Sequence, residues 1–460
     1  MLIHPELKKI HEQFLEKKTI NIQSYYLKKY EYLKKHGFFS KFEFTNFASL
    51  DESTVKDTII QTRQLVFEVT DFCNLNCSYC AYGDLYEGFE KRNFKNIETS
   101  HAINLLKYIV NIKPKNKNNK LYIGFYGGEP ILNIKFIKKI VNIANQLKSK
   151  KDIDFGYSMT TNATLAQNHI DFFVENKFRL LISLDGNKEN HSYRIFRKSK
   201  DNSFSLVIEN LDLIQNKYPE YFSEYVSFNA VLHNKNSVKD IYEFIYNRYN
   251  KIPKISELSL DNIKPQKEKI LNTIFHSKRK SESEYLAKES EITQITHSES
   301  LHYDESTNFL KYNSINYYIS NITSLLHNTE KIYPTDTCLP FSRKIFLNTH
   351  NQLLPCEKIN FKYSIGKVDK DIIIDIPKIT HQYNRYYNNL KRTCQHCYSF
   401  RFCGLCMFQI KNLEKLDTDE FICDRFYDQD SFKKKLYRIF SFLEKYPNDF
   451  FQILENVLIA

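Results

Sequence analysis

From residue 65 to residue 260, short β-type runs alternate with amphipathic helical patterns, and this alternation constrains the fold more than any other feature. The β-type runs fall at 65–69, 121–126, 155–160, 179–184, 226–231 and 256–260. Between them, Ile103, Leu106, Lys107 and Val110 share one helical face; Phe136, Ile140, Ile143, Ala144 and Leu147 share another. Strand–helix alternation gives parallel strands joined by right-handed crossovers. Six such units predict an α/β fold built on a partial (β/α)6 barrel, whose chemistry belongs at the C-terminal ends of the strands.

The chemically informative residues sit at those ends. After the first strand come Cys73, Cys77 and Cys80, with Tyr79 before the last. Closed four-iron clusters use four cysteines, so a three-cysteine site implies an outside ligand on the fourth iron. After the second strand come Gly127, Gly128 and Glu129, the only adjacent glycine pair among ten glycines. Two residues without Cβ let backbone approach a ligand closely. Ser158 lies on the third strand and Asn162 follows it; Ser183 ends the fourth, with Asp185, His191, Arg194 and Arg197 beyond. His191 reads as structural.

The C-x-x-x-C-x-x-C stretch closely resembles the signature of the radical S-adenosylmethionine (SAM) enzymes. The resemblance implies a [4Fe-4S] cluster on Cys73, Cys77 and Cys80 whose open iron chelates SAM. Reductive cleavage then releases a 5′-deoxyadenosyl radical. It also implies that Gly127, Gly128 and Glu129 hold the SAM amino group. Tyr79, Ser158, Asn162, Ser183 and Arg194 would be further cofactor contacts, an arginine being the natural partner of the SAM carboxylate.

Seven more cysteines follow: Cys338, Cys356, Cys394, Cys397, Cys403, Cys406 and Cys423. By spacing alone, Cys394, Cys397, Cys403 and Cys406 also suit a local zinc site. The order resembles the SPASM domain, the twin-cluster extension of many peptide-modifying radical SAM enzymes. That resemblance assigns Cys394, Cys397, Cys403 and Cys423 to an outer auxiliary cluster. Cys338, Cys356 and Cys406 go to an inner one with an open iron, for which His396 or His350 are substitutes. The chain departs from the pattern in placing two residues between Cys403 and Cys406, Asn351 where the family has glycine, and no eighth ligand. Asn tolerates a left-handed turn. Glu357 follows Cys356 where sulfatase-maturing relatives carry a proposed catalytic base.

The remaining stretches frame this core. Residues 1–62 read as a helical lead-in, with Leu7, Ile10, Phe14 and Leu15 at helical spacing and a basic aromatic helix over 25–35 stopped by Gly37. Residues 63–261 form the barrel. Residues 262–335 read as a helical or mobile bridge, its charged first half a solvated linker and its periodicity returning over 312–326. Residues 336–424 form the SPASM domain, and 425–460 C-terminal helices with Phe440, Phe442, Leu443, Phe450 and Leu454 apolar.

Ten cysteines without a secretion signal point to metal or redox use, not disulfides. No run of about 18 apolar residues exists, so no membrane span is expected. The formal charge of +12 comes from lysines spread along the chain, without a nucleic-acid-binding signature. The resemblance as a whole implies a cytoplasmic enzyme carrying three [4Fe-4S] clusters. It would act on a ribosomally made precursor peptide, with flavodoxin or ferredoxin as electron donor. The stretch at 25–30 and the wording around Cys80 resemble the double-glycine-leader peptide maturases of Bacteroidales. The product would be a crosslink such as a thioether, an epimer or an oxidised residue. The alternatives are a formylglycine-forming sulfatase maturase and, among non-enzymes, an iron–sulfur electron carrier or a zinc-stabilised binding module.

Overall fold

The computed structural model describes residues 5–16, 24–35, 47–88, 93–114, 120–260, 262–288, 305–307, 309–310, 333–400 and 403–448. It divides into two compact units, Met1–Phe47 and Ala48–Ala460. The first holds helices α1 (Pro5–Leu15) and α2 (Ser24–Lys35), which bury Leu7, Ile10 and Tyr30 between them. Gly37 lies outside the described residues.

The second unit is organised by one ten-stranded sheet. Strands β1 (Gln64–Thr70), β2 (Lys120–Gly127), β3 (Asp154–Thr161), β4 (Arg179–Ser183), β5 (Val226–Val231) and β6 (Lys254–Ser256) follow each other in parallel, as the alternation predicts. The last is displaced from the predicted 256–260 and cut to three residues. It is the edge strand and receives ladder bonds only from β5.

Between the strands run α4 (Thr99–Ile112), α5 (Ile134–Lys151), α6 (Ile170–Glu175), α7 (Phe204–Lys217), α8 (Pro219–Tyr225) and α9 (Val238–Tyr249); α3 (Glu52–Ile60) precedes β1. Helix α4 buries Ala102, Leu105, Leu106, Ile109 and Val110, so its inner face is turned slightly from the predicted one and Lys107 is exposed. Burying each such leucine or isoleucine stabilises the fold by roughly 1.5–3 kcal/mol.

The sequence pattern gave no sign of what covers the outer edge of β1. Strand β7 (Lys344–Leu347) pairs with it in parallel, Gln64 opposite Lys344. Strands β8 (Gln352–Leu354), β9 (Gly366–Val368) and β10 (Ile372–Ile373) then continue the sheet antiparallel. Asn351, in the turn between β7 and β8, has φ 64°, the left-handed conformation expected of it.

The charged stretch after residue 262 corrects the expectation of a solvated linker. Helices α10 (Glu268–Ile274) and α11 (Lys278–Lys288) form there, and Lys278, Ser281 and Glu282 are buried. Ser281 Oγ accepts from Val238 N at the start of α9 (2.9 Å), and Lys278 and Lys280 face Glu282 and Glu284 one turn on. The charges pair along the helix, and one serine docks it. The 312–326 stretch lies outside the described residues. Helix α12 (Ile376–Cys394) packs on α3, and α13 (Gln429–Lys445) ends the described chain, burying Ile439 and Phe442. Phe450 and Leu454 lie outside it.

Candidate active site and cysteine centres

The loop carrying Cys73, Cys77 and Cys80 leaves the C-terminal end of β1 and is tied down on both sides. Asn76 N donates to Ile195 O (2.8 Å), Arg197 N donates to Asn74 O (2.8 Å), and Arg197 Nε donates to Cys73 O (3.1 Å). Leu75 N donates to Cys73 Sγ (3.4 Å) and Cys80 N to Cys77 O (3.2 Å). The Cys77 thiol is pushed up to about 12, by burial first; Arg194 opposes this, and Cys80 and Cys73 add to it. The three thiols therefore share one buried neighbourhood.

The glycine pair serves this loop. Gly127 has φ +126°, and a Cβ there would stand 2.4 Å from Thr70 O; a Cβ on Gly128 would stand 2.0 Å from Phe72 O. Gly128 N and Glu129 N donate to Thr70 O and Phe72 O (2.8 and 2.9 Å). The close approach read from the sequence is thus between β2 and the cysteine loop itself.

Glu129 is 1% exposed and acts as a latch. Its Oε2 accepts from Asn162 N (2.7 Å), and its Oε1 from Thr161 Oγ1 (2.7 Å) and Ile131 N (3.2 Å). Burial raises its carboxyl to about 7 against the pull of these donors. Asn162 passes the connection on: its Nδ2 donates to Asn74 Oδ1 (2.9 Å) and lies 3.7 Å from Cys73 Sγ. Both Glu129 oxygens thus hold the ends of β2 and β3 together.

Tyr79 and Arg194 meet on Asp185, which the sequence placed among the strand-end residues without a role of its own. Asp185, fully buried after β4, accepts from Arg194 Nε (2.8 Å) and Nη2 (3.0 Å), from Val231 N (2.9 Å) and from the Tyr79 hydroxyl. Burial alone would raise this carboxyl; the Arg194 guanidinium holds it well below the usual range. Arg194 thereby commits two of its five N–H groups to Asp185. His233 stacks on Tyr79 at 5.5 Å between ring centroids. His191 is lowered to about 3 by burial and bonds Ser203 Oγ (3.1 Å), a structural role. The side chain of Ser183 ends β4 in register with Asn229.

Ser158 stands deeper, in a cavity of about 280 Å³ among the strands. Gln64, Tyr126, Thr160, Arg179, Lys344 and Glu357 line it too. Lys344 Nζ donates to both Glu357 oxygens (3.0 Å each), and Glu357 Oε2 lies 3.6 Å from Cys356 Sγ. The candidate base is therefore an ion-paired carboxylate, and its partner arrives on the strand that covers β1. Burial first, then Glu357, Cys80, Cys356 and Glu68, raise the Tyr126 hydroxyl, so Tyr126 has thiols of both cysteine regions among its neighbours.

The later cysteines fall into groups. Burial first, then Cys403, Cys423 and Cys397, raise the Cys394 thiol. Cys406 has Cys338 as its thiol neighbour. The groups that act on Cys356 are Glu357, Lys358 and Lys344. His396 is exposed, its ring against Gln395 (3.1 Å). Among the described residues no three His, Cys, Asp or Glu side chains stand close enough to hold a single metal ion. A four-iron cluster binds each thiolate on a separate iron and so spreads its ligands more widely than one tetrahedral ion does. The buried, mutually acting thiols fit such a cluster.

Sequence reasoning missed Lys344, His233 and Tyr126, and named Asp185 without giving it a role of its own. Asp185 and Tyr126 carried a signal, standing at the ends of the fourth and second β-type runs. Lys344 carried none, since its role depends on the β1–β7 pairing.

Residues 67–245 match the Radical SAM superfamily. A cysteine-type anaerobic sulfatase-maturating enzyme of Clostridium novyi is 31% identical over 34% of this chain and 41% of its own length. An uncharacterized protein of Methanocaldococcus jannaschii is 30% identical over 45% and 65%, and the radical SAM cyclopropyl synthase TigE of Paramaledivibacter caminithermalis is 26% identical over 37% and 36%. The matches thus span less than two thirds of each relative. Among solved structures, anSMEcpe with bound AdoMet superposes with a TM-score of 0.52 at 17% identity, over 87% of this chain and all of that one. The same protein with AdoMet and the Cp18Cys peptide gives 0.51 at 18%, over 85% and 99%. Fold likeness on this scale extends past the barrel, and the cysteine-rich C-terminal region is compatible with a SPASM domain. The cysteine loop and the glycine pair behind it thus both lie within the segment, residues 67–245, that matches the Radical SAM superfamily.

Proposed function

We propose that this chain is a peptide-modifying radical SAM enzyme that abstracts hydrogen from a ribosomally made precursor peptide. The observation that carries the reading is the joint placement of the three-thiol loop and the Lys344–Glu357 pair around Tyr126. With SAM bound, the cluster on Cys73, Cys77 and Cys80 supplies a 5′-deoxyadenosyl radical. The chain's own residues do the rest. The Glu129 latch fixes the loop, and the Tyr79–Asp185–Arg194 network fixes the aromatic beside Cys80. The polar cavity orients the substrate, and Glu357, held by Lys344, accepts a substrate proton at a carboxylate oxygen.

In this reading residues 63–261 are the radical SAM barrel, 262–335 the bridge, 336–424 the SPASM domain with two auxiliary clusters, and 425–460 C-terminal helices. Residues 1–62 are a lead-in. Flavodoxin or ferredoxin supplies the electron. Ten free thiols suit a reducing, cytoplasmic setting. No helix among the described residues is long and apolar enough to cross a membrane. The inner cluster, with three thiols, has room for a substrate thiolate, since soft thiolates bind iron well; a thioether is the product this favours.

A second reading, formylglycine formation in a sulfatase, is supported by the likeness to sulfatase-maturating enzymes and by Glu357 after Cys356. One experiment separates the two. The anaerobically reconstituted protein is given SAM, a reductant, and either peptides encoded by short reading frames beside the gene or a sulfatase peptide with its target Cys. Mass change of the former, lost in a Cys→Ser peptide, is expected. Conversion of the sulfatase peptide alone would establish the second reading.

A further inference from the structure

Helix α12 carries two buried hydroxyls that have no hydrogen-bond partner among the described residues. Its inner face presents Ile379, Tyr383, Tyr387 and Leu390. Tyr383 is 0% and Tyr387 2% exposed, and neither hydroxyl has a hydrogen-bond partner among the described residues. The two rings stand one helical turn apart, edge to face at 6.0 Å. Phenylalanine would fill the same space without burying an unpaired oxygen, and a buried tyrosine hydroxyl ordinarily finds a partner.

Their surroundings indicate what the partner is. Asp336 N donates to Leu405 O (3.1 Å) and Met407 N to Thr337 Oγ1 (2.7 Å), so the segments bearing Cys338 and Cys406 are bonded side by side. Phe408, two residues past Cys406, packs edge-on against Tyr383 at 5.7 Å, and Tyr333 packs on Tyr387 at 5.1 Å. Cys406 and Cys338 are among the groups acting on both hydroxyls. Thus two unpaired donors and two thiols converge on one buried place.

We propose that the Tyr383 and Tyr387 hydroxyls donate hydrogen bonds to the sulfurs of an iron–sulfur cluster held at Cys338 and Cys406. This rests on the reading of those thiols as inner auxiliary cluster ligands. Burial keeps both phenols protonated and so able to donate. Hydrogen bonds to cluster sulfurs help set the reduction potential. Two donors favour the reduced, more negative cluster and raise its potential, easing acceptance of an electron.

The test uses the full chain, reconstituted anaerobically in a Cys73→Ala/Cys77→Ala/Cys80→Ala background so that only auxiliary clusters report. Cys338→Ala identifies the inner cluster's signal in a redox titration followed by electron paramagnetic resonance. Tyr383→Phe and Tyr387→Phe should each retain iron and move that signal's midpoint to more negative potential, the double variant furthest. The cluster-free double variant should melt no lower than its parent, since it loses only unpaired hydroxyls. An unmoved midpoint with iron retained overturns the proposal, as does loss of iron, which would make a hydroxyl a ligand and not a donor. Full iron and unaltered signals in Cys338→Ala and Cys406→Ala would instead overturn the ligand reading beneath it.

Discussion

The loop at the end of β1 and the cysteine region around α12 are both built to surround buried thiols, yet they treat polar atoms differently. Around the loop, the buried carboxylates and the amide that links them are satisfied within the chain: Glu129 has three donors, Asp185 four, and Asn162 joins the two strands to Asn74. Around Cys338 and Cys406, two hydroxyls have no hydrogen-bond partner among the described residues. The first region is pre-organised by the protein alone. The second, on the proposal above, is completed by a cluster.

The largest test of this contrast removes the thiols. With Cys73, Cys77 and Cys80 all changed to Ala, SAM cleavage should vanish while iron falls from about twelve per chain to about eight, as three four-iron clusters require. Iron analysis and 5′-deoxyadenosine release read both; near-stoichiometric zinc in the native protein would break the comparison outright.

Gly128→Val tests whether the loop can yield. A Cβ at 2.0 Å from Phe72 O must displace backbone next to Cys73. We expect loss of about four irons together with SAM affinity. A loss of SAM affinity with full iron would show that the pair serves the ligand directly, as the sequence alone suggested.

Asp185→Asn leaves Arg194 buried beside a neutral amide. Breaking such a pair costs about 3–5 kcal/mol, readable as a lower denaturant midpoint in the cluster-free chain. An unchanged midpoint would mean that the hub is not what stiffens this region.

Glu129 gives a pH signature. Its carboxyl, raised from 4.5 to about 7, holds its proton more tightly in the folded chain than in the unfolded one. Its contribution is therefore complete below pH 4.5 and is lost as pH rises through 7, an effect of about 3 kcal/mol at 1.36 kcal/mol per pH unit. The difference in unfolding free energy between wild type and Glu129→Gln should follow that slope between pH 5 and 8. A flat difference would place the carboxylate's titration elsewhere.

Much of this was legible beforehand. The six strands, the glycine pair and the left-handed Asn351 all follow from local pattern. What was not legible depends on contacts between distant segments. The Lys344–Glu357 pair, formed within the β7–β8 hairpin, lines the cavity with Gln64 because β7 lies beside β1, and α11 meets α9 where Ser281 accepts from Val238 N. Tyr383 and Tyr387 look like ordinary aromatic packing until the two cysteine segments are seen beside them. The bonds of Glu129 to Asn162 N and Thr161 Oγ1 were equally out of sight, since they join strand ends 33 and 32 residues apart in the chain.

The pairing of β1 with β7 also sets a schedule for biosynthesis. Gln64 meets Lys344, so β1 emerges from the ribosome long before the strand that covers its edge. At about 5–20 residues per second, that edge waits on the order of ten seconds or more, a template for aggregation while it is bare. The cysteine loop hangs from that same strand. Chaperones in excess during expression should therefore raise the yield of soluble chain more than any change to the iron supply.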